Sequence, residues 1–314
     1  MPPPSSTHTG FARADDGLEL YWRVTGPDDP SAPAIVCCNG VGVSTFFFKY
    51  VVDHFRDRYR VVTWDYRGHG RSAPPPEPVD DADLSIARCS ADLACVLAAA
   101  GVTAPPLLVG HSMGCQVILD YAVRHGAGGS GVGVRGLVPM FGTFGRPLDT
   151  FLDSKWSKPA FGVLHRLARA GGKAGARALL PLYDSPVAFA FGGLTGLMDR
   201  HYAGRADIDK YLEHLAALDP RVFLRMVSQA AEHTVEPHLG TLRVPTLVVA
   251  GERDLFTPLH RSYFMANQIP GAELLVLADG SHAAIVEHPD AINLRIERFL
   301  AERCAAVPVS ASPA

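Results

Sequence analysis

The stretch Leu107-Leu108-Val109-Gly110-His111-Ser112-Met113-Gly114 decides how the chain is read. Leu107-Leu108-Val109 is a short apolar run of the kind that forms a buried strand. Beyond it, Val117, Ile118, Tyr121 and Ala122 recur at helical spacing. Between the two lies G-x-S-x-G. A strand that passes directly into a helix there must turn sharply, which strains the serine backbone and presents its hydroxyl at the sheet's edge. Gly110 and Gly114 carry no Cβ, so strand and helix can close up on either side. The N-terminus of the helix then lies beneath Ser112 and favours negative charge near it.

Outward from this junction, continuous apolar runs suited to burial on both faces recur at 34–38, 60–64, 136–141, 246–250 and 273–277. Residues 11–24 alternate around Asp16-Gly17, as a hairpin would. Helical periods occupy 83–100, 260–268 and 289–303. Strands alternating with helices predict an α/β fold whose mostly parallel sheet is flanked by helices. The interval 145–239 breaks that rhythm with amphipathic helical pieces and no clear buried strand. An insertion at the carboxyl end of a strand sits over the crevice where such sheets bind ligands, so this interval is read as a helical cap. The core is then 10–144 with 240–304. The Pro/Ser/Thr-rich start, 1–9, is expected to be a disordered leader, and 305–314 a disordered tail.

Of the 314 residues, 47% are hydrophobic and 19% charged, which suits a globular protein with a sizeable core. A net charge of −3 favours neither nucleic acid nor an anionic membrane. The first ten residues have no apolar h-region. No apolar run reaches the roughly 20 residues needed to span a bilayer, so no stable membrane insertion is expected. None of the six cysteines makes C-x-x-C, and most sit in apolar strand or helix patterns. Reduced, buried thiols and a cytoplasmic location are expected.

A serine hydroxyl is a weak nucleophile until a base takes its proton. Leu277-Ala278-Asp279-Gly280-Ser281-His282 follows the last strand, which puts His282 on a loop at the same carboxyl edge as Ser112. The strand at 246–250 ends in Gly251-Glu252-Arg253-Asp254, which brings Asp254 to that edge as well. Serine, aspartate and histidine stand in the chain order expected of this elbow. The proposed roles are attack by Ser112, proton relay by His282, and orientation of the imidazole by Asp254. Glu252 is the nearest rival acid and Asp149 a more distant one. The rate should rise with pH as His282 loses its proton. A tetrahedral oxyanion needs fixed donors. The Met113 N–H suits, together with one N–H from Asn39-Gly40-Val41-Gly42. Val41 is chosen there because its flanking glycines let the loop turn inward. Asn39 is assigned to holding the loop by side-chain bonds to backbone.

With these residues in view the chain resembles the α/β-hydrolase superfamily, in its esterase/lipase-like serine branch with a helical cap. The residues that carry the resemblance are Asn39 to Gly42, Asp65 to Ser72 (D-x-R-G-H-G-x-S), Gly110 to Gly114, Gly251 to Asp254, Gly280 to His282 and Val286-Glu287-His288-Pro289. Asn39 departs from the family pattern, standing where a histidine usually precedes the oxyanion-loop glycine. The resemblance implies cleavage of a small-molecule ester, thioester, lactone or amide without a cofactor. Serine at the elbow disfavours the aspartate-nucleophile epoxide hydrolases and dehalogenases. The same triad also serves acyl transfer, perhydrolysis or biosynthetic cyclisation, and a low-turnover ligand-binding member of the fold is a further alternative. A monomer or homodimer is expected.

Other motifs carry less. Gly131-Val132-Gly133-Val134-Arg135-Gly136 fits G-x-G-x-x-G, but it precedes a strand instead of following one. No histidine pair has zinc-protease spacing, so no metal is expected. His69 and Arg71 are assigned structural roles in their turn, and His111 is expected to line or brace the site. For the substrate pocket, Phe46 and Phe47 beyond the oxyanion loop, with Trp156, Phe189 and Phe191 from the cap, are the chosen walls. Their apolar character favours acyl chains or aromatic groups over sugars or peptides.

Overall fold

The computed structural model of the protein describes residues 6–126, 132–151, 154, 156–163, 165–166, 197–199 and 201–304. Strands β1 (Ser6–Arg13) and β2 (Glu19–Gly26) form the expected hairpin, in register from Ser6 opposite Gly26 to Arg13 opposite Glu19. Then follow β3 (Ala34–Cys38), a 3₁₀ turn (Thr45–Phe48) running into α1 (Lys49–Phe55), β4 (Arg60–Trp64), α2 (Ile86–Ala99), β5 (Leu107–His111), α3 (Met113–His125) and β6 (Gly136–Met140). Helices α4 (Arg205–Ala217) and α5 (Pro220–Glu232) come next. The chain closes with β7 (Leu247–Gly251), α6 (Leu259–Gln268), β8 (Glu273–Leu277), α7 (Ala284–Glu287) and α8 (Pro289–Arg303).

The strands make one eight-stranded sheet in the order β1-β2-β4-β3-β5-β6-β7-β8. The β1–β2 and β2–β4 pairs are antiparallel, and every other pair is parallel. Strands β3, β5, β6 and β7 are buried at every residue, which is why their sequences run apolar without alternation. Successive side chains serve two cores: Ile35 and Cys37 join one face of the sheet, Val36 and Cys38 the other. Each Val, Leu or Ile so buried contributes about 1.5–3 kcal/mol. Five of the six cysteines are buried, and all six are free thiols. Among the described residues no helix is long and apolar enough to cross a membrane.

The expected leader needs correction. Residues 6–9 belong to β1 and are not disordered, because β2 supplies a hydrogen-bonding partner along the whole strand. Their Ser/Thr/His composition suits an edge strand with most side chains in water. Residues 1–5 and the expected tail 305–314 lie outside the described residues. The 3₁₀ turn and α1 carried no clear period and were not expected. Helix α2 starts at Ile86 because Ser85 caps it, its hydroxyl accepting from the Arg88 N–H at 3.2 Å.

The interval after β6 leaves and returns at one place. Gly145 bridges Thr234 in antiparallel fashion, the Arg146 N–H donates to the His233 carbonyl (2.9 Å), and the Val235 N–H donates to the Phe144 carbonyl (3.0 Å). Gly145 has φ 157°, and a Cβ there would lie 2.4 Å from Thr234 Cα, so this neck admits only glycine. Helices α4 and α5 lie over the carboxyl end of the sheet. A Cβ on Gly42 would stand 3.0 Å from Leu215 and 3.1 Å from Phe223, and one on Gly68 would stand 3.0 Å from Val222.

Candidate active site

Ser112 sits between β5 and α3 with φ 54° and ψ −117°, a conformation that costs a non-glycine residue about 1–3 kcal/mol. The surroundings impose it. The Ser112 N–H donates to the Met140 carbonyl at 3.1 Å, and Gly110, Gly114 and Gly142 are packed against backbone. A Cβ on Gly110 would meet the Gly114 carbonyl oxygen at 2.5 Å, and one on Gly114 would meet the Cys38 oxygen at 2.1 Å.

His282 lies on the loop after β8, its side chain 8% exposed. Its Nε2 is 3.0 Å from Ser112 Oγ, and its Nδ1 is 2.9 Å from Asp254 Oδ2. A carboxylate only accepts, so Nδ1 carries the proton and Nε2 is free to accept from the serine. Asp254, 1% exposed at its side chain, accepts three further bonds. The Phe256 and Thr257 N–H groups donate to Oδ1 at 2.9 Å each, and the Thr257 hydroxyl donates to Oδ2 at 2.7 Å. The Phe256 ring stacks on the imidazole at 5.2 Å. Of the rival acids, Glu252 is exposed and Asp149 pairs with Lys158. The structure brings Ser112, His282 and Asp254 together.

His111 does more than line the site. Its Nε2–H donates to the His282 carbonyl at 2.9 Å, and its ring packs between Phe47 (4.7 Å) and His282 (5.0 Å). Burial, reinforced by the neighbouring His282, pushes its pKa down to about 3, so it is neutral.

The loop at residues 39–42 is held by the end of β4 and the Asp65–Ser72 turn that follows it. Asn39 Nδ2 donates to the Trp64 carbonyl at 2.6 Å, as its assignment to loop support required. Asp65 accepts from Ser44 Oγ (2.6 Å), the Thr45 N–H (3.1 Å) and the Arg71 N–H (3.0 Å). Burial raises its carboxyl despite those bonds. The Gly42 N–H donates to His69 Nε2 (3.2 Å), while His69 Nδ1–H donates to the Arg67 carbonyl (3.1 Å). Burial lowers the His69 pKa to about 4. With the Gly42 amide engaged there, the loop meets the serine at Gly40, where a Cβ would lie 3.0 Å from Ser112 Cβ. Val41 and Met113 both border the cavity above the serine.

That cavity holds about 560 Å³. Val43, Phe47, Phe151, Phe161, Met198, Phe223 and Val227 are among its walls, with Gln116, Thr143 and Tyr211 as polar points. No Asp, Glu, Lys or Arg lines it among the described residues. Phe47 is a wall as expected, but Phe46 is not. On a 3₁₀ turn successive side chains diverge by about a third of a turn, so Phe46 faces His214 (5.8 Å) and Lys210 while Phe48 enters the core. Trp156 also needs correction. It is 69% exposed, one position off the stripe Ser157, Ala160, Phe161 that faces the cavity. Phe189 and Phe191 lie outside the described residues. Gln116 and Phe256 were missed. Gln116 was findable, since it stands one helical turn beyond Ser112 on α3.

The comparisons agree with this geometry at the level of family. A family model described as alpha/beta hydrolase fold matches residues 33–289. The chain is similar to a putative carbamate hydrolase RutD of Agrobacterium fabrum, 26% identical over 289 residues that cover 90% of this chain and 98% of that protein. It is also similar to the proline iminopeptidase PfmaB of Pestalotiopsis fici, 26% identical over 297 residues, 91% of this chain and 97% of that protein. Among solved structures, the esterase RhEst1 from a Rhodococcus species superposes with a TM-score of 0.71 at 27% identity, over 94% of this chain and 99% of that one. The enol-lactonase from Burkholderia xenovorans has the same fold, with a TM-score of 0.72 at 21% identity over 93% of this chain and 100% of that one.

Proposed function

This chain belongs to the alpha/beta hydrolase fold family, and we propose that within it the protein is a serine hydrolase of neutral, apolar carboxylic esters or lactones. The observation that carries the reading is the imidazole of His282, set between Ser112 Oγ at 3.0 Å and Asp254 Oδ2 at 2.9 Å beneath a cavity to which the described residues contribute no Asp, Glu, Lys or Arg. In this reading Ser112 Oγ gives its proton to His282 Nε2 and bonds to the carbonyl carbon. The oxyanion accepts from the Met113 N–H, at the start of α3, and from the Val41 N–H. As the tetrahedral species collapses, the C–O bond to the alcohol breaks and His282 returns the proton to the leaving oxygen. Water, deprotonated by the same imidazole, then releases the acid and frees the serine. In this reading the interval 145–239 serves as the cap, and the pairing of Gly145 with Thr234 closes its neck.

The cavity wall narrows the substrate class. A carboxylate or ammonium buried there would meet no counter-charge from the described residues, and an unpaired buried charge is expensive. The test is labelling by a fluorophosphonate together with a panel of esters, lactones and carbamates. Wild type should be labelled and Ser112→Ala should not. Neutral acyl esters should outrun matched esters bearing a carboxylate or ammonium by about a hundredfold or more in kcat/KM. Folded wild type that resists the label and turns over nothing on the panel would overturn the proposal. Products formed with added alcohol or peroxide separate hydrolysis from transfer.

A further inference from the structure

One buried carboxylate near the site has no part in the steps above. Glu287, at the end of α7, is 7% exposed, and among the described residues no basic side chain forms an ion pair with it. Its Oε1 accepts from Ser281 Oγ at 2.6 Å and from the Asp199 N–H at 2.6 Å, and its Oε2 faces the Ser281 N–H at 3.4 Å. Ser281 Oγ in turn accepts from the Ala283 N–H at 3.1 Å. One carboxylate therefore grips the residue before His282 and, through that hydroxyl, the residue after it. The same oxygen holds the segment 197–199, whose Leu197 and Met198 line the cavity. From this juxtaposition we infer that Glu287 is a positioning residue that couples the cavity-lining segment 197–199 to the placement of His282.

The chemistry suits the task. A carboxylate oxygen has two lone-pair directions, so a single atom can satisfy a hydroxyl and a backbone amide from different segments. Bonds to a carboxylate in a buried site are stronger than neutral ones and fix geometry more tightly. Burial raises the Glu287 pKa, while the bonds from Ser281 and Asp199 act to hold it down. A second link joins the same region at the surface. Arg253 spans Asp199 (3.2 Å) and Asp279 (2.5 Å), but it is 55% exposed and open to screening. Backbone position matters here because His282 is also held through its carbonyl by His111. A displacement of about an ångström at a catalytic group can cost up to roughly a hundredfold in rate.

The inference rests on the serine-hydrolase reading, and its test separates the two. Glu287→Met, Glu287→Gln, Ser281→Ala and Arg253→Ala would be compared with wild type for the rate of fluorophosphonate labelling per folded molecule and for amide hydrogen exchange. Glu287→Met should slow labelling by about tenfold or more. It should also speed exchange at Asp199 and over 281–284, with β5 unchanged. Glu287→Gln keeps one accepting oxygen for Ser281 and Asp199 and should stay within about threefold of wild type. Ser281→Ala should loosen Ala283 and slow labelling while Asp199 keeps its protection. Arg253→Ala should change neither readout. If Glu287→Met exposes only the Asp199 amide and is labelled at the wild-type rate, the coupling is wrong. Should Glu287→Met not fold, wild-type labelling and Ala283 protection in Ser281→Ala would refute it. Wild type that is never labelled sinks the serine-hydrolase reading, while the exchange pattern still decides whether Glu287 joins the two segments.

Discussion

Asp254 Oδ2 is shared by the His282 Nδ1–H at 2.9 Å and the Thr257 hydroxyl at 2.7 Å. That sharing sets two expectations for single side chains. Asp254→Asn keeps the shape but presents an amide that can donate toward Nδ1, favouring the wrong tautomer. It should lower kcat by about 10⁴-fold with folding intact. Thr257→Val removes one donor and leaves the carboxylate, so the loss should be smaller, about tenfold, in keeping with the roughly 1.5 kcal/mol lower bound for a bond to a charged group. Glu252→Gln, altering an exposed acid on the same loop, should leave kcat within about twofold. Kinetics on a reactive ester decide all three. A loss in Glu252→Gln as large as in Asp254→Asn would reassign the acid.

Strand β5, the elbow and α3 act as one element because their backbones are in contact through glycines. A Cβ at Gly114 would sit 2.1 Å from the Cys38 carbonyl and 2.8 Å from the Asn39 carbonyl, and neither backbone can yield without moving β3 or the loop at 39–42. Gly114→Ala should therefore destabilise the fold by about 3 kcal/mol, read from urea unfolding. Gly162→Ala is the contrasting case. Nothing lies within 4 Å of a Cβ there, and alanine favours a helix over glycine by up to about 1 kcal/mol, so stability should hold or rise. Equal losses at both positions would show that the elbow glycines are not tight. The 3₁₀ turn at Thr45–Phe48 shows how an element can defeat a reading by composition. Composition makes Phe46 and Phe47 equal candidates for the cavity wall, yet the turn sends Phe46 toward His214 of α4, Phe47 to the cavity and Phe48 to the core.

For the molecule as a whole, two buried neutral histidines tie stability to pH. Burial lowers His69 to about 4 and His111 to about 3 from an ordinary 6.5. Below pH 6.5 the unfolded chain binds protons at these sites while the folded chain does not. Their contribution is thus complete above 6.5 and is lost as pH falls toward the folded values. At pH 5 each has given up about 2 kcal/mol. The denaturation midpoint should fall between pH 7.5 and pH 5. The stability gap between wild type and His69→Gln should narrow by about the same 2 kcal/mol over that range. A gap independent of pH would mean that His69 is not held neutral.

Several features follow from local rules and could be read along the chain. Apolar runs marked β3, β4 and β8 at the bounds the structure gives and β5 to within a residue or two; in β3 and β5 the run follows from burial on both faces, while β8 is half-buried throughout. The G-x-S-x-G junction and the chain order of Ser112, Asp254 and His282 pointed to one edge of a parallel sheet, since strands of one direction end together. Composition misjudged residues 6–9, whose order comes from a partner strand and not from their own propensity. What only the tertiary structure decided was which side chains face the cavity. Phe47 against Phe46, and Phe161 against Trp156, differ by a fraction of a helical turn, and packing from elsewhere in the chain sets that angle. The bond of Glu287 to Asp199, 88 positions away, has no local sequence signal, because only the return of the chain over the sheet brings those two atoms together.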